Sequence, residues 1–321
     1  MTDRPVYVAH DLSDLLNTVP AVLGFHPTES LVAIATYGAR RRFGFSMRVD
    51  LPPVEHVDAV AAHVVGHLRR QHADGAVVLA IAQDQAVARE LTSAVEHGLG
   101  EIQPIAVARA DGARYWVDVP GFPSEGIAYE ASAHHRAIVE AVVAGQEILP
   151  DRAALVERWS AVAGERRVAM TEACDRVQRH VVGVLTGQRS ASTRGIVELA
   201  PVLASIEAGR SLSDAEVALL CVWVGASEVR DHVWERIDAT TARCYLPALL
   251  HASRSVVPPH EPAVLCLGAF AAWMTGDGAQ AVIAAERARS ADPEHVMASL
   301  VLDLVGAGIP PGEWHRRSDV A

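Results

Sequence analysis

The period of apolar positions changes several times along the chain, and each change marks an element. Over residues 11–22, Leu12, Leu15, Leu16 and Val19 recur at i, i+3, i+4 and i+7, the spacing of one helix face. Asp11 is placed to cap this helix, and Pro20 with Gly24 mark its end. Residues 30–37 then read as an apolar strand. A turn over 38–42 leads to 43–51, where the pattern alternates. Phe43, Phe45, Met47, Val49 and Leu51 share one face, and Gly44, Ser46, Arg48 and Asp50 the other. The two strands read as a hairpin, stopped by Pro52 and Pro53. Residues 54–72 form a helical pattern with an apolar face at Val57, Val60, Val64 and Leu68.

Residues 76–82 (AVVLAIA) have no polar face, which suits a strand buried on both sides of a sheet. Asp84 caps a helix that runs through His97, and a strand follows at 102–108. Asp111-Gly112 is a hairpin turn returning through 114–119. Residues 120–126 are a loop, 129–144 a helix, and 145–150 a linker. The order β-β-α-β-α-β-β predicts a mixed sheet covered by helices.

From Asp151 onward the pattern is helical throughout, in segments near 151–163, 167–186, 194–208, 213–227, 228–237, 239–253, 261–275, 278–291 and 293–306. Ser213-Asp214-Ala215-Glu216 is a capping box, and Asp292-Pro293 places a cap before a first-turn proline. The segment LGAFAAWMTGDGAQAVIAAERARSADP resembles one tetratricopeptide repeat with an extra residue before the turn. The expected fold is therefore α/β plus all-α. A mixed-sheet α/β domain spans 1–148, and a helical bundle or repeat-like domain, tetratricopeptide-like in its last third, spans 149–321.

Composition narrows the function classes. Half of the residues are hydrophobic but only 5% are aromatic, so the core is built of Ala, Val and Leu. All 28 basic residues are arginine, and the net charge is −11. A duplex-binding domain carries a basic footprint; here the one dense basic run is Arg40-Arg41-Arg42, read as a solvated hairpin tip. The expectation is no nucleic acid. Cys174, Cys221, Cys244 and Cys266 are widely spaced within apolar helical patterns, which points to buried free thiols in a reducing compartment. The N-terminus lacks the apolar core of a signal peptide, and the longest apolar run, 263–274, is too short for a bilayer. A soluble cytoplasmic protein without membrane contact is expected.

Several motifs carry chemistry, each beside a structural reading. Gly276-Asp277-Gly278-Ala279-Gln280-Ala281 fits G-x-G-x-x-A, but a dinucleotide fingerprint needs a preceding strand. The preceding segment here is helical in length and composition, so the motif reads as a helix–turn–helix turn and implies no cofactor. His56, His63 and His67 lie within roughly 40° on a helical wheel, and His63 with His67 has the i, i+4 spacing of two zinc ligands. Val64 stands where a zincin has its glutamate, so a half-buried structural stripe is the main reading and a metal the minor one. His134 and His135 diverge on a helix and receive no role. Neither a nucleophile elbow nor a Walker A loop is present.

The densest stretch is AVLGFHPTESLV, residues 21–32. Read structurally, Gly24 is a helix C-cap, Phe25 a core anchor, Pro27 a turn residue and Ser30 a backbone hydrogen-bonder. Read as a site, His26, Thr28, Glu29 and Ser30 line a crevice beside the sheet. Arg48 and Asp50 then face it from the next strand, with His26 and Glu29 available for proton transfer.

Leu23-Gly24-Phe25-His26-Pro27 followed by Ser30-Leu31-Val32 resembles the signature of an actinobacterial protein family of unknown function. Arg48-Val49-Asp50-Leu51-Pro52, Arg114-Tyr115-Trp116, Val229-Arg230-Asp231, Gly276-Asp277-Gly278 and the C-terminal Gly308-Ile309-Pro310-Pro311…Trp314 fit the same pattern. The resemblance covers nearly the whole chain. It implies a pair of cysteines shortly after Arg-Tyr-Trp, whereas this chain has PGFPSEG at 120–126. A metal or redox role for such cysteines therefore does not carry over. The family brings no activity. Two functions stay open: a non-catalytic protein whose C-terminal helices receive a protein partner, and an enzyme or small-ligand binder with its pocket at the LGFHP loop.

Overall fold

A computed structural model of the chain describes residues 9–185 and 191–314. The chain divides into two compact units, Met1–Leu155 and Val156–Ala321. The first unit is a six-stranded mixed sheet in the order β2-β1-β3-β4-β5-β6. Its strands are β1 (Ser30–Tyr37), β2 (Arg42–Asp50), β3 (Gly75–Ile81), β4 (Gln103–Ala110), β5 (Arg114–Trp116) and β6 (Ile127–Ala128). The neighbours of β1, which are β2 and β3, both run antiparallel to it, and β3 with β4 is the parallel pair.

The two apolar runs occupy the sheet centre because neither has a polar face to offer water. On one side Leu31, Ala33, Ala35, Ala76, Val78 and Ala80 pack under α2 (Val57–Arg70) and α3 (Gln85–Gly98). On the other, Val32, Ile34, Val77 and Leu79 meet Leu16 and Val19 of α1 (Leu12–Leu23). Burying one of the Val, Leu or Ile side chains contributes roughly 1.5–3 kcal/mol, and an alanine less, so the two-sided burial of β1 and β3 is a large source of cohesion in this unit.

Helix ends follow local chemistry. The Asp11 carboxylate accepts from the Asp14 N–H to open α1, and Asp84 accepts from Ala86 and Val87 to open α3. Pro20 lies inside α1 and does not end it. The stop is Gly24, whose φ of 79° no side-chain-bearing residue adopts cheaply and whose N–H closes on the Pro20 carbonyl.

Four local readings change. The segment expected as a helix over 129–144 is helical as α4 (Arg136–Val143) alone. Upstream, Tyr129 N–H donates to the Ala113 carbonyl and Ser132 N–H to the Asn17 side chain, so tertiary partners take the donors that a helix would have used. The expected helix 54–72 begins with a 3-10 turn, Val54–His56. The β1–β2 register shifts between Ile34 and Thr36, so Phe43 stands opposite Thr36 and is 41% exposed instead of joining Phe45, Met47 and Val49 on the helix-covered face. Residues 145–149 do more than link, because Leu149 pairs with the backbone of Gly24 and His26.

The second unit is helical. After α5 (Arg152–Arg158), which spans the division, it contains α6 (Gly164–Leu185), α7 (Ala191–Glu207), α8 (Asp214–Trp223), α9 (Ser227–Trp234), α10 (Ala242–Ser255), α11 (Glu261–Met274), α12 (Gly278–Ala291) and α13 (Val296–Gly306). The Ser213 capping box is formed with Glu216. From Ala263 to Met274 every residue of α11 is buried, so the longest apolar run becomes the centre of a helical array. Trp159 is keyed into this array. Its indole N–H donates to Gln280 at 3.0 Å, and a Cβ on Gly268 would meet its ring at 3.0 Å. The Arg287 guanidinium donates to the carbonyls of Trp159 and Ser253 and pairs with Glu261. Among the described residues no helix is long and apolar enough to cross a membrane.

Replacing Gly24 with valine forces a β-branched residue into the left-handed region. A loss of about 1–2 kcal/mol in urea unfolding is expected, with Gly24→Asn losing less; an unchanged midpoint in the valine variant would refute the backbone argument.

Candidate functional site

The LGFHP loop is built around the need to leave α1, turn, and enter β1. Gly24 provides the turn, and its carbonyl accepts from Leu149 N–H at 2.8 Å. Phe25 is 2% exposed and bridges Leu149 in parallel. His26 donates its backbone N–H to the Leu149 carbonyl, while its half-exposed imidazole has no hydrogen bond among the described residues. Pro27 is buried.

Ser30, Arg48 and Asp50 come together. The Ser30 hydroxyl donates to the Thr28 carbonyl at 2.5 Å and accepts from Arg48 Nε at 2.7 Å. A second Arg48 nitrogen lies 3.4 Å from the same carbonyl and 2.6 Å from Asp50, an outward-facing carboxylate. Glu29 is directed elsewhere. It holds a φ of 44°, and its Oε1 accepts from the backbone N–H of Gln83 at 2.9 Å, just past β3. Its own carbonyl accepts from Leu51 at the end of β2, and Gln83 reaches on to the Asp111 carbonyl. These groups therefore tie together the adjacent ends of β2, β1 and β3. The single Ser30 hydroxyl proton is committed to the Thr28 carbonyl, and its oxygen accepts from a guanidinium instead of facing a base.

The histidine stripe is split by burial. His56 is exposed on the 3-10 turn and His63 on α2, while His67 is 2% exposed, its ring stacked 6.0 Å from Phe45 and edge-on to the His63 ring at 4.5 Å. His67 Nδ1 is buried without a hydrogen-bond partner. Burial, helped by the neighbouring His63 and Arg70, lowers its pKa to about 4. Among the described residues no group of three or more His, Cys, Asp or Glu is arranged to hold a metal ion.

Further polar clusters lie outside the candidate site residues singled out in the sequence. Arg109 of β4 is 11% exposed, pairs with Asp118 at 2.9 Å and lies 5.8 Å from the Trp116 ring. Trp116 is its register partner across the Asp111-Gly112 hairpin and Asp118 lies just past β5, so the hairpin turn itself brings these groups together. The Arg-Tyr-Trp motif clasps the following loop: Arg114 donates to the carbonyls of Glu125 and Gly126, Trp116 to that of Ser124, and Tyr115 packs against Phe122 and Tyr129. Cys266 Sγ lies 3.2 Å from His295 Nδ1, but burial pushes its thiol up to about 12, so it stays protonated and unreactive. Burial also raises Cys174 and Cys221; Cys244, expected to be buried with them, is exposed on α10. A groove of about 360 Å³ between α2 and α3, lined by Val57, Asp58, Glu90, Ser93 and His97 among others, contains none of the loop residues.

A family model described as a domain of unknown function, DUF4192, matches residues 13–312. The chain belongs to the DUF4192 family. The match takes in both compact units, the LGFHP loop and most of the Gly308–Trp314 motif. No curated protein and no solved structure matches the chain.

In this DUF4192 chain the His67 arrangement predicts a pH dependence. Its folded pKa lies below the ordinary 6.5, so the unfolded state binds the proton more tightly. The stability it contributes is whole above pH 6.5 and is lost as pH falls through 4, amounting to about 3 kcal/mol. His67→Phe should flatten that part of the stability–pH curve measured by urea unfolding. A variant curve parallel to the wild type would refute the assignment.

Proposed function

We propose that the protein is a cytoplasmic, non-catalytic binding protein in which an α/β module carries a helical platform for a protein partner. One observation carries the reading: the Glu29, Ser30 and Arg48 side chains of the LGFHP region, though not the His26 imidazole, are engaged in holding strand ends. Ser30 and Arg48 satisfy each other and the Thr28 carbonyl, and Glu29 holds the Gln83 N–H. The buried thiols, protonated at neutral pH, add no nucleophile. The second half of the chain is an array of packed helices, an architecture that stacks into extended partner surfaces. A net charge of −11 favours protein over nucleic acid as the partner. Affinity capture with the full chain as bait, at physiological salt, is expected to retain a partner at near-equal stoichiometry. Recovery of nothing beyond an unrelated acidic bait would count decisively against the proposal.

A second reading, a small-ligand site at the loop, is favoured by two details. Glu29 is held at a positive φ, a conformation that concentrates at ligand-binding positions, and the His26 imidazole has no protein partner among the described residues. On that reading a metabolite in a thermal-shift panel raises Tm in the wild type but not in His26→Ala, itself as stable as the wild type. A panel without any shift would eliminate it.

A further inference from the structure

The C-terminal motif Gly308-Ile309-Pro310-Pro311…Trp314 has no part in either reading above, yet it occupies a defined place on the helical unit. Four aromatic rings meet there. Trp314 lies 5.4 Å from Phe270, 5.8 Å from Trp273 and 5.9 Å from Trp234, edge-on to the first two and tilted against the third. Phe270 and Trp273 project from α11 and are almost fully buried, whereas Trp234 of α9 and Trp314 are half-buried. Three rings from two helices thus form a cradle, and the indole of Trp314 is its occupant.

The grip on the strap has the features of peptide recognition. The Trp273 indole N–H donates to the Ile309 carbonyl at 3.1 Å, a backbone contact made from within the cradle. Pro310 sits at φ −74° and ψ 146°, the polyproline II conformation. A 3-10 turn over Pro311–Glu313 then returns the chain so that Trp314 faces the helices. Two successive prolines stiffen the segment before it docks, which lowers the entropy cost of docking, and aromatic-lined grooves commonly take proline-stiffened segments for this reason. Trp314 itself is held to the helices through ring contacts, and its backbone N–H turns back to Pro311.

We infer that the strap is an intramolecular ligand, and that the Trp234–Phe270–Trp273 cradle is a docking site for a partner segment of the same chemistry: a proline-stiffened peptide ending in an aromatic side chain. This deepens the partner-platform reading and rests on it. The chain's own strap supplies the template for the partner and, tethered beside the cradle, competes with it. A short tether gives an effective concentration in the millimolar range, so a free peptide has to displace the strap.

The test uses a fluorescent peptide of residues 307–314 (AGIPPGEW) and the full-length chain, read by anisotropy. Trp314→Ala should bind the peptide at least tenfold more tightly than the wild type, and a peptide with alanine in place of its tryptophan should not bind. Equal affinity for wild type and variant, or no binding to the variant at millimolar peptide, overturns the inference. Should circular dichroism show that the variant does not fold, the wild type decides. Excess peptide must then shift the Trp314 indole N–H resonance, and an unmoved resonance overturns the inference. A partner captured by the full chain that ignores the peptide would sink the cradle assignment while leaving the platform reading intact.

Discussion

A strand with no polar face has to be covered on both sides, and this constraint organises the first unit. β1 and β3 carry apolar residues at nearly every position, so neither tolerates water on either face. Covering one side requires α2 and α3, and covering the other requires α1. Once helices lie on both faces, the ends of the central strands become the places where backbone groups need partners other than the ladder. The LGFHP loop answers that need at one end. Its polar side chains, Glu29 and Ser30, serve to terminate a sheet whose interior is apolar.

This accounts for why the loop looked like a catalytic constellation. Histidine, glutamate, serine, arginine and aspartate close together are the ingredients of proton transfer. They are equally the ingredients of a strand-end clamp, where a hydroxyl bridges a carbonyl and a guanidinium, and a carboxylate accepts from the N–H of Gln83. The two uses differ in which lone pairs and protons remain unspent. Here Ser30 and Arg48 spend theirs on the fold, while the His26 imidazole does not.

The helical unit follows a related constraint with different parts. α11 is apolar around its whole circumference and can exist in water only if helices surround it. Trp159 and Arg287 fix that surrounding layer through hydrogen bonds to residues distant in sequence, and the aromatic cluster at Trp314 closes another part of it. Low aromatic content makes each such ring consequential. Alanine and valine fill volume, but the few large rings set where helices approach.

The sequence by itself determined the elements and their class. Periodicity located β1 to the residue, α1 and α3 nearly so, and the run of C-terminal helices, because a two-sided apolar strand and an amphipathic helix are local patterns. Gly24 and the capping residues Asp11, Asp84 and Ser213 were equally legible, since a cap is a contact within one turn. Tertiary structure alone decided the rest. It drew residues 129–135 out of a helix by offering Ala113 and Asn17 as partners, and it displaced Phe43 through a register shift that alternation cannot reveal. It likewise decided that Glu29 belongs with Gln83 and that Trp314 sits among three rings. Those pairings join positions far apart in the chain, where the deciding quantity is the distance between elements after packing, and no local pattern encodes that distance.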